Sequence, residues 1–191
     1  MKKRLMVVED ESIVRMDVSL MLEDAGYSVV AQAGDGEKAV EQAFEHKPDL
    51  IIMDIKMPKL NGLKASEIIS KKTGTPILLL TAYSQKEFVD KAKNANIFGY
   101  LVKPITETSL IPAVEIALQQ AERSSKFQKK LNQMENKLKS RKMIEKAKGI
   151  LMSRMNLPED AAFQKMRKIS MDKQVPMESI AKRIILKYEA Q

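Results

Sequence analysis

The chain has no cysteine among its 191 residues, which excludes disulfide staples, thiolate metal sites and thiol nucleophiles. Histidine occurs once, as His46. It reads as a solvent-facing helix end, so catalysis by a Ser-His or Cys-His pair is not expected. Long apolar runs are missing as well: none approaches the ~20 residues that a membrane span needs. Near the start, only Leu5–Val8 separate the basic Lys2-Lys3-Arg4 from the acidic Glu9-Asp10-Glu11, too short an apolar stretch for a secretory signal. A cytoplasmic protein is expected. Aromatic residues make up only 5% of the chain. In the last third they are few, Phe127, Phe163 and Tyr188 among them, and Phe163 is expected in a core.

What is present is a hydrophobic content of 44%, enough for one ordinary core of about 100–150 residues with roughly 70 left for a smaller module. Charge is unevenly divided between the two. Residues 1–120 carry 15 Lys+Arg against 17 Asp+Glu, and residues 121–191 carry 18 against 8, so a net of −2 precedes a net of +10. A basic module behind a near-neutral domain points to a polyanion, nucleic acid before membrane. The same charges also suit a merely solvated helical face.

The first 120 residues alternate strand and helix patterns. Strands are expected at Leu5–Val8, Ser28–Ala31, Leu50–Asp54, Ile77–Leu80 and Tyr100–Val102, with helices at Ser12–Ala25, Gly36–Glu45, from Gly62 through Ile69, and at Lys86–Asn94. Five strands with four intervening helices mean a parallel sheet covered on both faces, an α/β domain. In such a sheet the carboxyl ends of the strands form the crevice where ligands bind. Glu9 and Asp10 end the first strand, Asp54 the third, Thr81 the fourth and Lys103 the fifth.

Singly these are unremarkable polar strand ends; together they meet the needs of phosphoryl transfer to a carboxylate. An aspartate attacks an anionic phosphoryl group only with a cation between them. Mg²⁺ takes hard oxygen ligands, which Asp10, Asp54, a backbone carbonyl just after Asp54 and water can supply, with Glu9 nearby. Lys103 offers a fixed positive charge, and Thr81 a hydroxyl that can bond the phosphoryl once it has arrived.

Over about residues 3–120 the sequence resembles the receiver domain of two-component response regulators. The resemblance rests on Glu9-Asp10, the segment LIIMDIKMPKLNG around Asp54, Thr81-Ala82, and Lys103-Pro104 preceded by Tyr100. It implies a doubly wound five-stranded parallel sheet of order 2-1-3-4-5. It further implies that Asp54 is the phosphoacceptor, served by a sensor histidine kinase. The carbonyl of Lys56 then completes a metal site with Glu9, Asp10 and Asp54, and Tyr100 and Thr81 act as a switch beside Lys103.

Pro112 sits inside the next helical pattern, where a proline removes a hydrogen bond at a cost of ~3 kcal/mol. The helix is expected either to start late, near Ser109, or to bend there. From Ala113 the pattern runs without Gly or Pro to Gly149. Within it Phe127, Leu131, Met134 and Leu138 recur at spacings of 4, 3 and 4, a short seam suited to a parallel helical pair between two chains. One amphipathic helix packed on its own chain is the alternative. Three helices follow in the remaining pattern. The long one carries Ile144, Ala147, Leu151 and Met155 on one face. A second has Pro158 in its first turn and carries Ala162, Met166 and Ile169. The third begins at Pro176 and carries Met177, Ile180, Ala181, Ile184 and Tyr188.

This last part, about Arg141 to Ile185, resembles the ANTAR output domain of transcription antiterminators. The matching residues are Arg141, Ile144, the run AKGILM at 147–152, Ala161-Ala162-Phe163, Met166-Arg167 and Ile180-Ala181. The resemblance implies binding to paired stem-loops of a structured leader RNA. Motif matches and phosphate-seeking charges together nominate Arg141, Lys142, Lys148, Gly149, Arg154, Lys165, Arg167, Lys168, Lys182 and Arg183. Arg141 and Lys148 share a face beside the apolar stripe, near the inter-helix surface. The domain plan is thus a receiver at 1–120, a helical linker and coiled coil at 121–140, and a three-helix all-α output domain at 141–191. The expected assembly is a homodimer favoured by phosphorylation. Two rival functions remain. A DNA-binding regulator with an atypical helical output would share the receiver but calls for a helix-turn-helix pattern. An aspartyl phosphohydrolase needs a second acid two residues after Asp54, where Lys56 stands.

Overall fold

The structure, a computed structural model, describes residues 2–82 and 96–189. The helix expected over Lys86–Asn94 lies outside the described residues. Along the chain run β1 (Arg4–Val8), α1 (Ser12–Asp24), β2 (Ser28–Ala33), α2 (Gly36–His46), β3 (Leu50–Asp54), α3 (Gly62–Thr73), β4 (Ile77–Thr81), β5 (Ile97–Val102), α4 (Glu107–Met155), α5 (Glu159–Asp172) and α6 (Met177–Glu189). The chain divides into two compact units, Met1–Ser125 and Lys126–Gln191.

In the first unit the strands form one parallel sheet in the order β2-β1-β3-β4-β5. Alternation along the central strands sends neighbouring side chains to opposite faces. Met6, Val8, Ile51, Met53, Ile77 and Leu79 share one core with Ala39, Ala43, Ala65 and Ile69 of α2 and α3. Leu5, Val7, Leu50, Ile52, Leu78 and Leu80 share the other with Val18 and Leu22 of α1 and with Leu110, Val114 and Ala117 of α4. Because both faces are covered, the strands read as near-continuous apolar runs. On α1 the buried residues are Val18, Ser19 and Leu22, while Ile13, Met16 and Leu20 of the apolar pattern point to solvent.

The helix starts explain the local sequence. Asp35 caps α2 by accepting from the Lys38 amide at 2.9 Å, and Asn61 caps α3 by accepting from the Lys64 amide at 2.9 Å; each satisfies a first-turn N–H that has no helical acceptor. β5 begins three residues earlier than the pattern suggests. Gly99 hides it, because the register slips there: Ile97 faces Ile77, but Gly99, not Phe98, faces Leu78. A side chain at Gly99 would approach Leu78 Cδ1 to 3.1 Å, so the irregularity is seated on a glycine.

α4 starts at Glu107, not near Ser109, and takes Pro112 into its second turn. Its start is braced at Thr106, whose amide donates to Ser109 Oγ at 3.2 Å while its carbonyl accepts from the Leu110 amide at 2.8 Å. The serine supplies the returning half of a capping box.

In the second unit Ala147, Leu151, Ala162, Met166, Ile180 and Ala181 form a core joined by Ile144, Ile169, Met177 and Ile184. Three expectations fail here. Met155 and Phe163 are exposed, not packed: Met155 ends its helix, and Ala162 and Met166 already occupy the inward face of α5. Pro158 is the residue before the first turn of α5, not within it. Its carbonyl accepts the Ala162 amide at 3.0 Å.

Candidate phosphoacceptor site and output surface

The strand order reverses between β1 and β3, so their carboxyl ends flank a crevice. Glu9 leaves β1 fully buried, Asp10 follows it exposed, and Asp54 ends β3 buried. Carboxylate oxygens of all three lie within 4.8 Å of one another. From the end of β5, Lys103 reaches in. Its Nζ is 2.7 Å from Glu9 Oε2 and 3.3 Å from Asp54 Oδ2. The backbone fixes this approach, since the Lys103 amide donates to the Thr81 carbonyl at 2.8 Å. Asp54 Oδ1 accepts from the Ile55 amide at 2.9 Å, which leaves the second oxygen turned to the ammonium. Thr81 is buried at the end of β4, and Tyr100 on β5 is 58% exposed. Lys56 is exposed in the loop after β3.

Burial pushes the Asp54 carboxyl above its ordinary range, against the pull of Lys103 and the Ile55 amide and with some help from Asp10. Burial does the same to Glu9, again opposed by Lys103. Burial works against the Lys103 ammonium too, but the carboxylates of Glu9 and Asp54 hold it charged and raise its pKa. Two buried carboxylates, Glu9 and Asp54, thus share the Lys103 ammonium in a partly dry crevice, and a third, Asp10, lies beside them. Such a donor set, all hard oxygen and short of positive charge, fits a divalent cation of the Mg²⁺ type.

Several supporting residues escaped the sequence reading. Gly62, seen there only as a helix opener, is where α3 passes over the strand end: a Cβ at this position would lie 1.9 Å from the Asp54 carbonyl oxygen. Its amide donates to the Ile55 carbonyl at 3.0 Å. Arg15 on α1 donates from Nη1 to the Glu9 carbonyl at 2.5 Å and to the Asp10 carbonyl at 3.4 Å, bracing the turn that carries both acids. Lys59, with φ of 63°, pairs with the buried Asp35 at 2.8 Å and ties the loop after β3 to the start of α2. The Asn-Gly at 61–62 signals a turn, but nothing in sequence spacing marks Arg15 or Lys59.

On the second unit Arg141, Lys142, Gly149, Arg154, Lys165, Arg167, Lys168, Lys182 and Arg183 are exposed. Lys148 differs from them. It is half-buried, and its Nζ bridges Glu145 at 2.6 Å and Glu159 at 2.7 Å, joining α4 to α5. Its charge is used inside the fold. Phe127, Leu131, Met134 and Leu138 are all exposed along α4.

Residues 5–115 match the response regulator receiver domain, and residues 132–185 match the ANTAR domain. The chain is a response regulator with an ANTAR output domain. The ANTAR match begins inside the stretch expected as linker. Over 183 residues the regulator is 39% identical to the transcriptional regulatory protein PdtaR of Mycobacterium tuberculosis H37Rv, covering 96% of this chain and 89% of that protein. It is 35% identical over 115 residues to the chemotaxis protein CheY of Thermotoga maritima, 60% of this chain and 96% of CheY. Among solved structures, the receiver domain of the putative response regulator NarL from M. tuberculosis aligns with a TM-score of 0.58 at 30% identity, covering 62% of this chain and 97% of that one. The receiver domain of a diguanylate cyclase from Desulfovibrio desulfuricans G20 aligns with a TM-score of 0.60 at 28% identity, covering 65% and 99%. The response regulator belongs to a family of regulators, not of enzymes. Its receiver domain implies a histidine kinase as partner, and its ANTAR domain implies RNA. Among the described residues, no helix is long and apolar enough to cross a membrane.

Proposed function

We propose that Asp54 is the phosphoacceptor of this response regulator and that its phosphorylation promotes homodimerisation and binding of the output domain to paired hairpins in a leader RNA, so that a transcription terminator does not form. One observation carries the first half: a buried carboxylate at the end of the central strand shares a single ammonium with a second carboxylate. In the proposed reaction an Asp54 oxygen forms a bond to phosphorus as the P–N bond of a kinase phosphohistidine breaks, and the electron pair returns to the imidazole nitrogen. Lys103 supplies charge to the phosphoryl oxygens, and the Thr81 hydroxyl donates to one of them. Tyr100, outward in this state, follows Thr81 inward. Mg²⁺, held by Glu9, Asp10, Asp54 and the Lys56 carbonyl, would neutralise the phosphoryl oxygens facing the carboxylate.

The second half draws support from the basic side chains exposed around a small helical core and from the net charge of +10 behind residue 120. A-form RNA hides base edges from a helix, so such a module grips phosphates and loop nucleotides. The test of the acceptor is chemical. With a small phosphodonor and Mg²⁺, intact mass should gain one phosphoryl group in the wild type and none in Asp54→Asn. Equal labelling of both proteins would overturn the assignment.

A further inference from the structure

The loop between β3 and α3 carries the Lys56 carbonyl and is pinned on two sides. The Gly62 amide closes its base by donating to the Ile55 carbonyl at 3.0 Å, and Met57 and Leu60 pack against the core beneath it. Its far side rests on the start of α2. A Cβ at Gly36 would lie 2.1 Å from the Leu60 carbonyl oxygen, so the loop comes this close only because residue 36 is a glycine. Beside this contact Lys59 Nζ meets Asp35 Oδ2 at 2.8 Å, while Asp35 Oδ1 accepts from the Lys38 amide at 2.9 Å. The two oxygens of one buried carboxylate thus join the loop to the capped end of α2.

Lys59 has a φ of 63°, a conformation that glycine or asparagine adopts at less cost than lysine. A lysine there is explained by what its side chain reaches. The Lys38 amide and the Lys59 ammonium hold the Asp35 carboxyl below its ordinary range, so the pair is charged at neutral pH. We infer that the Asp35–Lys59 pair is a positioning device for the metal site: it fixes the loop so that the Lys56 carbonyl is presented to a divalent cation beside Asp54. The inference rests on the Mg²⁺ reading above and adds two residues outside the ligand set. Charge alone argues the opposite for one of them. A lysine near a cation site repels the cation, so its loss would tighten binding, whereas a positioning role requires its loss to weaken binding.

Two measurements on the full-length protein read the site: the Mg²⁺ concentration that half-saturates phosphorylation by a small phosphodonor, and the rise in melting temperature with Mg²⁺ when no donor is present. Lys59→Met and Asp35→Asn, the second keeping the cap of α2, should each raise the half-saturating Mg²⁺ about ten-fold, the usual order for losing a group that orients a metal ligand. The rate at saturating Mg²⁺ should stay near that of wild type, and Lys59→Arg should bind Mg²⁺ like wild type. The double variant should be no weaker than the worse single variant, because the two residues act as one pair. Unchanged or tighter Mg²⁺ binding in Lys59→Met overturns the positioning role and leaves the metal site standing. A wild type whose melting and phosphorylation both ignore Mg²⁺ overturns the metal reading itself.

Discussion

Gly62 and Asp54 show how much of the site is decided by single atoms. A methyl group at Gly62 would fall 1.9 Å from the Asp54 carbonyl oxygen, so Gly62→Ala must push the strand end away. Overpacking of this kind costs about 1–3 kcal/mol. The melting temperature and the extent of phosphorylation by a small phosphodonor should fall together. Asp54→Asn should act the other way on stability. Burial raises the Asp54 carboxyl above its ordinary range, so the ionised group opposes folding. That penalty is absent while the carboxyl is protonated, grows as pH rises through the ordinary carboxylate range and is complete above the raised pKa. Lys103 keeps Glu9 as a partner at 2.7 Å when Asp54 is replaced. Thermal melts should therefore place Asp54→Asn above wild type at neutral pH, with the gain vanishing in acid. Most of these acids were legible in the sequence because a carboxylate ending an apolar run is visible as a pattern. Arg15 was not: it acts through two backbone carbonyls, and a contact to the main chain leaves no trace in residue spacing.

At the level of elements, the strands were legible because burial on both faces leaves unbroken apolar runs, and β5 was read short because Gly99 interrupts one. The helices of the output unit were legible from their caps and stripes, but exposed and buried apolar residues at the same spacing could not be told apart. Phe163 and Met155 have the spacing of inward residues and yet are exposed. Gly149 is the element-scale feature that invites a test. It is exposed inside α4, six residues before its last residue, and a Cβ there would meet nothing within 4 Å. A helical glycine without a packing reason lowers stability by about 0.5–1 kcal/mol relative to alanine. Gly149→Ala should raise the unfolding free energy by that amount, seen as a higher melting temperature. If RNA approaches α4 closely at this point, the same substitution should weaken RNA binding several-fold, separating stability from function in one variant. Unchanged RNA affinity would place the RNA elsewhere on the unit.

For the whole molecule, charge is the property that links the two units to one function. The receiver half is near neutral and the rest is strongly basic, so in the proposed function the output unit carries the affinity for RNA and Asp54 its control. The proposed dimer would make the second RNA contact intramolecular, raising avidity by about 10²-fold without any new contact. Phosphorylation is proposed to gate RNA binding, and a single titration tests this. Purified protein, with and without a small phosphodonor and Mg²⁺, is titrated at two salt concentrations against a two-hairpin leader RNA and a duplex DNA of equal length. The expected result is tighter RNA binding on phosphorylation, lost in Asp54→Asn, with DNA binding weak and steeply salt-dependent. RNA affinity unmoved by phosphorylation, or sequence-specific DNA binding of equal strength, would contradict it.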